Sequence, residues 1–118
     1  MADGTRVICA SADLVDAGRG VRFETLFRGQ VAAAFVVRHD GRVHAYLNRC
    51  SHVAMELDWQ PGLFFDFEGR DLICSTHGAV YAASSGTCLG GPCSGGPLVK
   101  LAVEERDGFV VIKEASNG

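Results

Sequence analysis

Cys50-Ser51-His52 and Cys74-Ser75-Thr76-His77 each put a thiol and an imidazole within reach of one loop, and 21 residues separate the first pair from the second. Thiolates and imidazoles are ligands for soft and borderline metals. One Cys and one His from each of two loops can divide a [2Fe-2S] cluster so that two sulfurs hold one iron and two ring nitrogens the other. Two ferric ions, two sulfides and two thiolates sum to about zero charge, so adding an electron costs less than in an all-Cys cluster. The same four side chains also suit a tetrahedral structural zinc. Buried Cys beside a surface His also arises without any metal. Metal binding requires loops, because such a pair on a strand would point to the same or opposite faces without converging.

The residues that follow narrow the choice. His77 begins the run His77-Gly78-Ala79-Val80-Tyr81, then come Ser85-Gly86-Thr87-Cys88 and Gly90-Gly91-Pro92-Cys93 ahead of an apolar strand from Leu98. This pattern, over roughly Val31 to Ile112, resembles the Rieske ferredoxin family. In that family the second ligand loop continues with His-Gly, an aromatic residue four after the His, a Thr-Gly-like turn and a Gly-Pro segment. The resemblance implies a [2Fe-2S] cluster with Cys50 and Cys74 on the inner iron and His52 and His77 on the outer one. It also implies that Tyr81 donates to a sulfur and that Gly90, Gly91 and Pro92 form the loop covering the cluster. Proline fixes φ there, and glycine lets backbone approach closely.

Departures from the family pattern carry information too. The Rieske subunits of respiratory complexes have two further Cys that form a disulfide, at positions that are Met55 and Thr76 here, so that staple is missing. The Ser that donates to a sulfur two residues after the second His is Ala79, whereas the Tyr is kept as Tyr81. Hydrogen bonds to sulfur stabilise the added electron, so one lost donor predicts a potential in the lower part of the roughly −150 to +300 mV Rieske range. Reduction should tighten proton binding by the imidazoles of His52 and His77, so the midpoint should fall with rising pH.

The remaining chemical residues are less telling. The segment 53–73 gathers Trp59, Phe64, Phe65 and Phe67 around the turn signal Gln60-Pro61-Gly62. These aromatics either form a docking patch near the redox centre, or Leu63 and Phe64 close the core of the cluster lobe, the reading adopted. Cys88 and Cys93 flank Leu-Gly-Gly-Pro and are near enough in sequence for a disulfide; for a chain that looks intracellular, two reduced thiols are the expectation. Cys9 lies in an apolar run and is read as core. His39 and His44 flank a hairpin turn and are assigned as solvated polar residues, not ligands. Asp58, Asp66, Glu68 and Asp71 have no spacing that argues for paired acid and base work, and no Ser-centred nucleophile motif is present.

The elements that must position these residues read as almost entirely β. Strands are predicted over Thr5–Ala10, Val21–Phe27, Val31–Arg38, Val43–Leu47, Asp71–Cys74, Val80–Ala82, Leu98–Glu105 and Phe109–Lys113, with a helical turn at Ala12-Asp13-Leu14 capped by Ser11. Asp40-Gly41 and Asp107-Gly108 signal hairpins. The expected fold is all-β: a Rieske-like sandwich of short antiparallel strands in one domain, 1–118, with a smaller cluster-binding lobe at about 48–95.

Composition sets the frame. The chain has 118 residues, 47% of them hydrophobic, and a net charge of −3. That is enough for one core and too apolar for a disordered chain. The absence of a Lys/Arg cluster argues against nucleic acid. No apolar run approaches the roughly 20 residues of a membrane span, and no secretion signal is visible at the start of the sequence. The resulting expectation is a cytoplasmic electron-transport protein, monomeric when free and not itself an enzyme. The resemblance implies oxidoreductase partners, with electrons passing from a flavin- or NAD(P)H-linked reductase to a terminal oxygenase. Two alternatives are a small Rieske subunit of a reductase complex such as nitrite reductase, and a module sensing oxidant through Cys88 and Cys93.

Overall fold

Three two-residue turns organise the larger part of the chain. Arg28-Gly29, Asp40-Gly41 and Asp107-Gly108 all have positive φ at both positions, the type I′ geometry whose twist matches that of the flanking strands. Each joins two strands that pair from the turn outward. In the computed structural model these and the other strands are described over residues 5–49, 57–58, 62–66, 69–74, 78–90 and 97–113.

The strands are β1 (Thr5–Ala10), β2 (Val21–Phe27), β3 (Gln30–His39), β4 (Arg42–Leu47), β5 (Asp71–Ile73), β6 (Val80–Ala82), β7 (Cys88–Gly90), β8 (Lys100–Arg106) and β9 (Phe109–Lys113). Six form an antiparallel sheet in the order β1-β9-β8-β4-β3-β2, and β5-β6-β7 form a second, three-stranded sheet. The large sheet curls until its two edges meet, where the Arg6 guanidinium on β1 donates to the Glu24 carbonyl on β2.

The middle of β3 and most of β4 are buried on both faces. Val36 and Ala45 point into the curled sheet with Leu14, Val110 and Ile112. Their neighbours Phe35, Val37 and Tyr46 point the other way and pack against Leu57, Phe64, Leu72, Cys74, Ala79, Tyr81, Ala83 and Leu98. Two covered faces explain why Ala32–Val37 reads as an unbroken apolar run with no alternation. The expected all-β sandwich with a smaller second unit is what the chain forms.

Several local expectations need correction. The helical turn is a 3-10 turn over Ser11–Asp13, so Ser11 lies inside it; Ala10 is the capping position, and its N–H donates to the Asp13 carboxylate at 3.3 Å. His39 pairs with Arg42 across the second hairpin, so both belong to strands and only Asp40-Gly41 turns. Leu98 precedes β8 because its N–H is already committed to the Gly86 carbonyl at 2.9 Å. Strand β7 is an addition to the expected set; it pairs with β6 through Val80↔Gly90 and Tyr81↔Cys88, with an irregularity between. Among the described residues no helix is long and apolar enough to cross a membrane.

Candidate metal centre

Cys74 follows directly on β5, and three layers of contact hold it there. Leu72 and Ile73 pair with Tyr81 and Val80 on β6. On the other side Ile73 donates to the Phe64 carbonyl at 2.9 Å, and Phe65 bridges to Leu72. Phe64 is fully buried and stacks on Phe35 of the large sheet at 3.9 Å between ring centroids, with planes 13° apart. Leu63 is half-buried. Phe64 therefore closes the core of the small lobe, as expected, and Phe65 packs against that core as well. Trp59 and Phe67 lie outside the described residues.

The second ligand loop is pinched shut at its base. Cys74 N–H donates to the Ala79 carbonyl and Gly78 N–H to the Cys74 carbonyl, both at 2.8 Å. Gly78 has φ +75°, a left-handed conformation that costs a side-chain-bearing residue about 1 kcal/mol or more. The glycine that follows His77 in the motif is thus explained by the turn that brings the chain back onto β6. Cys74 is fully buried, is not in a disulfide, and shares one packed cluster with Ala79 and Tyr81.

The first ligand loop is anchored where it leaves β4 and where it returns. Asn48 is buried; its side-chain oxygen accepts from Leu57 N–H at 2.9 Å, and its amide donates to Asp58 at 3.1 Å. Leu57 packs in the same cluster as Cys74, so the bases of both ligand loops converge on one core. Cys50, His52, His77 and Pro92, with Gly91, Met55, Thr76 and Cys93, lie outside the described residues. Among the described residues no three His, Cys, Asp or Glu side chains form a metal site. Of the four expected ligands only Cys74 is among them.

The two lobes are also joined by a tyrosine. Tyr46 on β4 is fully buried and donates its hydroxyl to the Ala83 carbonyl beyond β6 at 2.7 Å. Burial pushes its phenol well above the ordinary tyrosine range. A β-carbon at Gly86 would come within 2.8 Å of that ring, which accounts for the glycine in Ser85-Gly86-Thr87.

Two expectations about other reactive side chains are overturned. His44 is buried, facing the same side of β4 as Tyr46, so it is not a solvated hairpin residue. Burial holds its imidazole below the usual range, helped by the charges of Lys100, His39 and Arg42. His39 stacks on Phe65 at 6.0 Å. Cys88 is disulfide-bonded, with its partner sulfur outside the described residues, so it is not the reduced thiol expected. Cys9 is half-buried against the interior of the curled sheet, and burial, with Asp13, pushes its thiol up. Sequence reading also missed Asn48 and Asp58. The only local signal was an Asp just ahead of Gln60-Pro61-Gly62, a usual place for a carboxylate that accepts from a turn N–H.

The one described donor, Cys74, is placed as a cluster ligand would be: a thiol at a buried end of the small lobe, in a loop closed by its own backbone, next to a core shared with the base of the other loop. Comparison with known proteins agrees. No curated protein matches the sequence significantly. Among solved structures, the ferredoxin of carbazole 1,9a-dioxygenase from Nocardioides aromaticivorans IC177 superposes with a TM-score of 0.73 at 22% identity, over 94% of this chain and 98% of that one. A chain in the complex of reduced oxygenase and oxidized ferredoxin in carbazole 1,9a-dioxygenase gives 0.72 at 21% identity, over 96% and 97%. The terminal oxygenase of carbazole 1,9a-dioxygenase from Novosphingobium sp. KA1 gives 0.73 at 20% identity, over 97% of this chain but 30% of that one. At such identities the likeness is one of fold. The family model for the Rieske [2Fe-2S] domain matches residues 5–105, and with the paired Cys/His loops and the two-sheet architecture this establishes that the chain belongs to the Rieske [2Fe-2S] domain family.

Proposed function

We propose that the protein is a soluble Rieske ferredoxin that takes one electron at a time from a reductase and hands it to a terminal oxygenase. The observation that carries this reading is the extent of the structural match: nearly the whole of a dioxygenase ferredoxin is covered, against less than a third of a terminal oxygenase chain. The family's cofactor, a [2Fe-2S] cluster, supplies reversible one-electron transfer when bound.

The chain's own residues supply the rest. Cys50 and Cys74 hold the inner iron, and His52 and His77 hold the outer one. Tyr81 and Pro92 belong to the surrounding shell, with Ala79 in place of a hydroxyl donor. Residues 48–95 make up the cluster lobe of a single domain, and the curled six-stranded sheet is its base. The carrier works in the cytoplasm as a monomer that docks in turn on its reductase and its oxygenase. Catalysis belongs to the oxygenase.

The deciding experiment is electron paramagnetic resonance of the dithionite-reduced protein. A rhombic signal of Rieske type, lost in Cys50→Ala, His52→Ala, Cys74→Ala and His77→Ala, is the expected result. A colourless protein holding one zinc would defeat the reading. Obligate co-purification with a catalytic reductase subunit would transfer it to the reductase-complex alternative.

A further inference from the structure

We infer that Asn48 and Asp58 are positioning residues, a buried clamp that ties both ends of the first ligand loop to the base sheet and so sets the geometry of Cys50 and His52. The inference rests on the ligand assignment above.

Asp58 is an unusual residue to find inside. Its side chain is 1% exposed, yet it is a carboxylate. Three parts of the chain meet it: the Asn48 amide donates at 3.1 Å, Gly62 N–H donates at 3.0 Å, and the Arg22 guanidinium of β2 forms an ion pair at 3.4 Å. Asn48 is committed in turn, because its oxygen accepts from the fully buried Leu57 N–H at 2.9 Å. Only one orientation of the Asn48 amide can accept from that N–H while donating to a carboxylate.

The network spans the loop. Asn48 lies two residues before Cys50, whereas Leu57 and Asp58 lie five and six after His52. One asparagine side chain therefore ties the chain leaving β4 to the segment that returns at Leu57 and Asp58. The return is also docked on the approach to β2, where Gly20 N–H donates to the Gly62 carbonyl at 2.8 Å. A β-carbon on Gly62 would lie 2.4 Å from the Arg19 side chain and 2.9 Å from the Gly20 carbonyl. A buried charge-bearing network is a poor way to gain stability, since apolar packing does as well, but a good way to specify one geometry. The geometry specified here is that of a ligand loop.

The test compares Asn48→Ala and Asp58→Asn with Val110→Ala, a cavity in the curled sheet away from both loops, at temperatures where thermal stabilities match. Three quantities are read: the g-values of the reduced protein, the rate of cluster loss to a chelator, and hydrogen exchange of the Leu57 amide. The expected result is altered or broadened g-values and cluster loss about tenfold faster than in Val110→Ala, together with faster Leu57 exchange. Wild-type g-values and Val110→Ala rates in the clamp variants would overturn the inference. Should Asn48→Ala fail to fold, Asp58→Asn decides alone, because it keeps the shape and loses the charge. If the wild type itself shows no Rieske signal, the ligand assignment falls instead, and Leu57 exchange in the cluster-free chain still decides the clamp.

Discussion

Replacing Tyr46 with Phe removes one oxygen atom from the seam between the two lobes and should leave a signature in both stability and its pH dependence. The hydroxyl donates to the Ala83 carbonyl at 2.7 Å, and Tyr46 and Ala83 are 0% and 2% exposed, so no water can replace the lost donor. An orphaned buried acceptor costs about 1–3 kcal/mol, while the ring's apolar contacts are unchanged. Near pH 8 the variant should be less stable by that amount in urea denaturation followed by far-ultraviolet circular dichroism. The difference should then shrink in alkali. Burial raises the folded-state pKa of Tyr46, whereas the unfolded phenol ionises near pH 10. Above that pH the folded protein binds the proton that the unfolded chain has released, so stability falls as pH rises. With an unfolded pKa of about 10, the wild type should lose about 1.4 kcal/mol at pH 11 relative to a chain without this hydroxyl. The Tyr46→Phe variant has nothing to titrate at this position. A stability gap of the same size at pH 8 and pH 11 would refute the burial argument, and a gap near zero at pH 8 would refute the hydrogen bond.

Four further outcomes follow from the same structure. Phe64→Ala should destabilise by about 3–5 kcal/mol, because a fully buried ring stacked on Phe35 leaves a cavity between the lobes; a loss under about 1 kcal/mol in the same denaturation assay would mean the lobes do not share that core. His44 has a lowered pKa in the fold, so below about pH 6.5 the unfolded chain takes up a proton the folded one refuses; wild-type stability should fall in that window, and His44→Gln should lose that component of the slope. Glu105 is held low chiefly by its two bonds to Arg38, at 3.1 and 2.6 Å, so its contribution is present above the ordinary carboxylate pKa and lost as pH falls through the folded value; Glu105→Gln should show a flatter acid limb. Ala79→Ser should raise the midpoint potential in protein-film voltammetry by restoring a hydroxyl donor, and an unchanged midpoint would remove Ala79 from the account of the potential.

What could be read from the sequence and what could not divide along one physical line. The turn at Gly78 and the Asp-Gly hairpins are local: each depends on a few adjacent residues, and the positive φ of Asp40, Gly41, Gly78, Asp107 and Gly108 is what those residue types offer. The Arg28-Gly29 hairpin has the same geometry, but Arg is not a usual resident of a left-handed position, and the β2–β3 ladder holds it there. His44 reads as solvated because the turn beside it is polar. It is buried because the second lobe covers that face of β4, which no neighbour in sequence announces. Asp58 is the clearest case. Alone it is one acidic residue among five in the segment 53–73. Its role exists only once Asn48, Gly62 and Arg22 have been brought to it from 10, 4 and 36 residues away. The chemistry of a cluster site is thus written in short motifs, whereas its rigidity comes from the long-range contacts of an otherwise ordinary β fold. It follows that variants of Cys50, His52, Cys74 and His77 should abolish the cluster outright, while variants of Asn48 and Asp58 should leave it present but differently held.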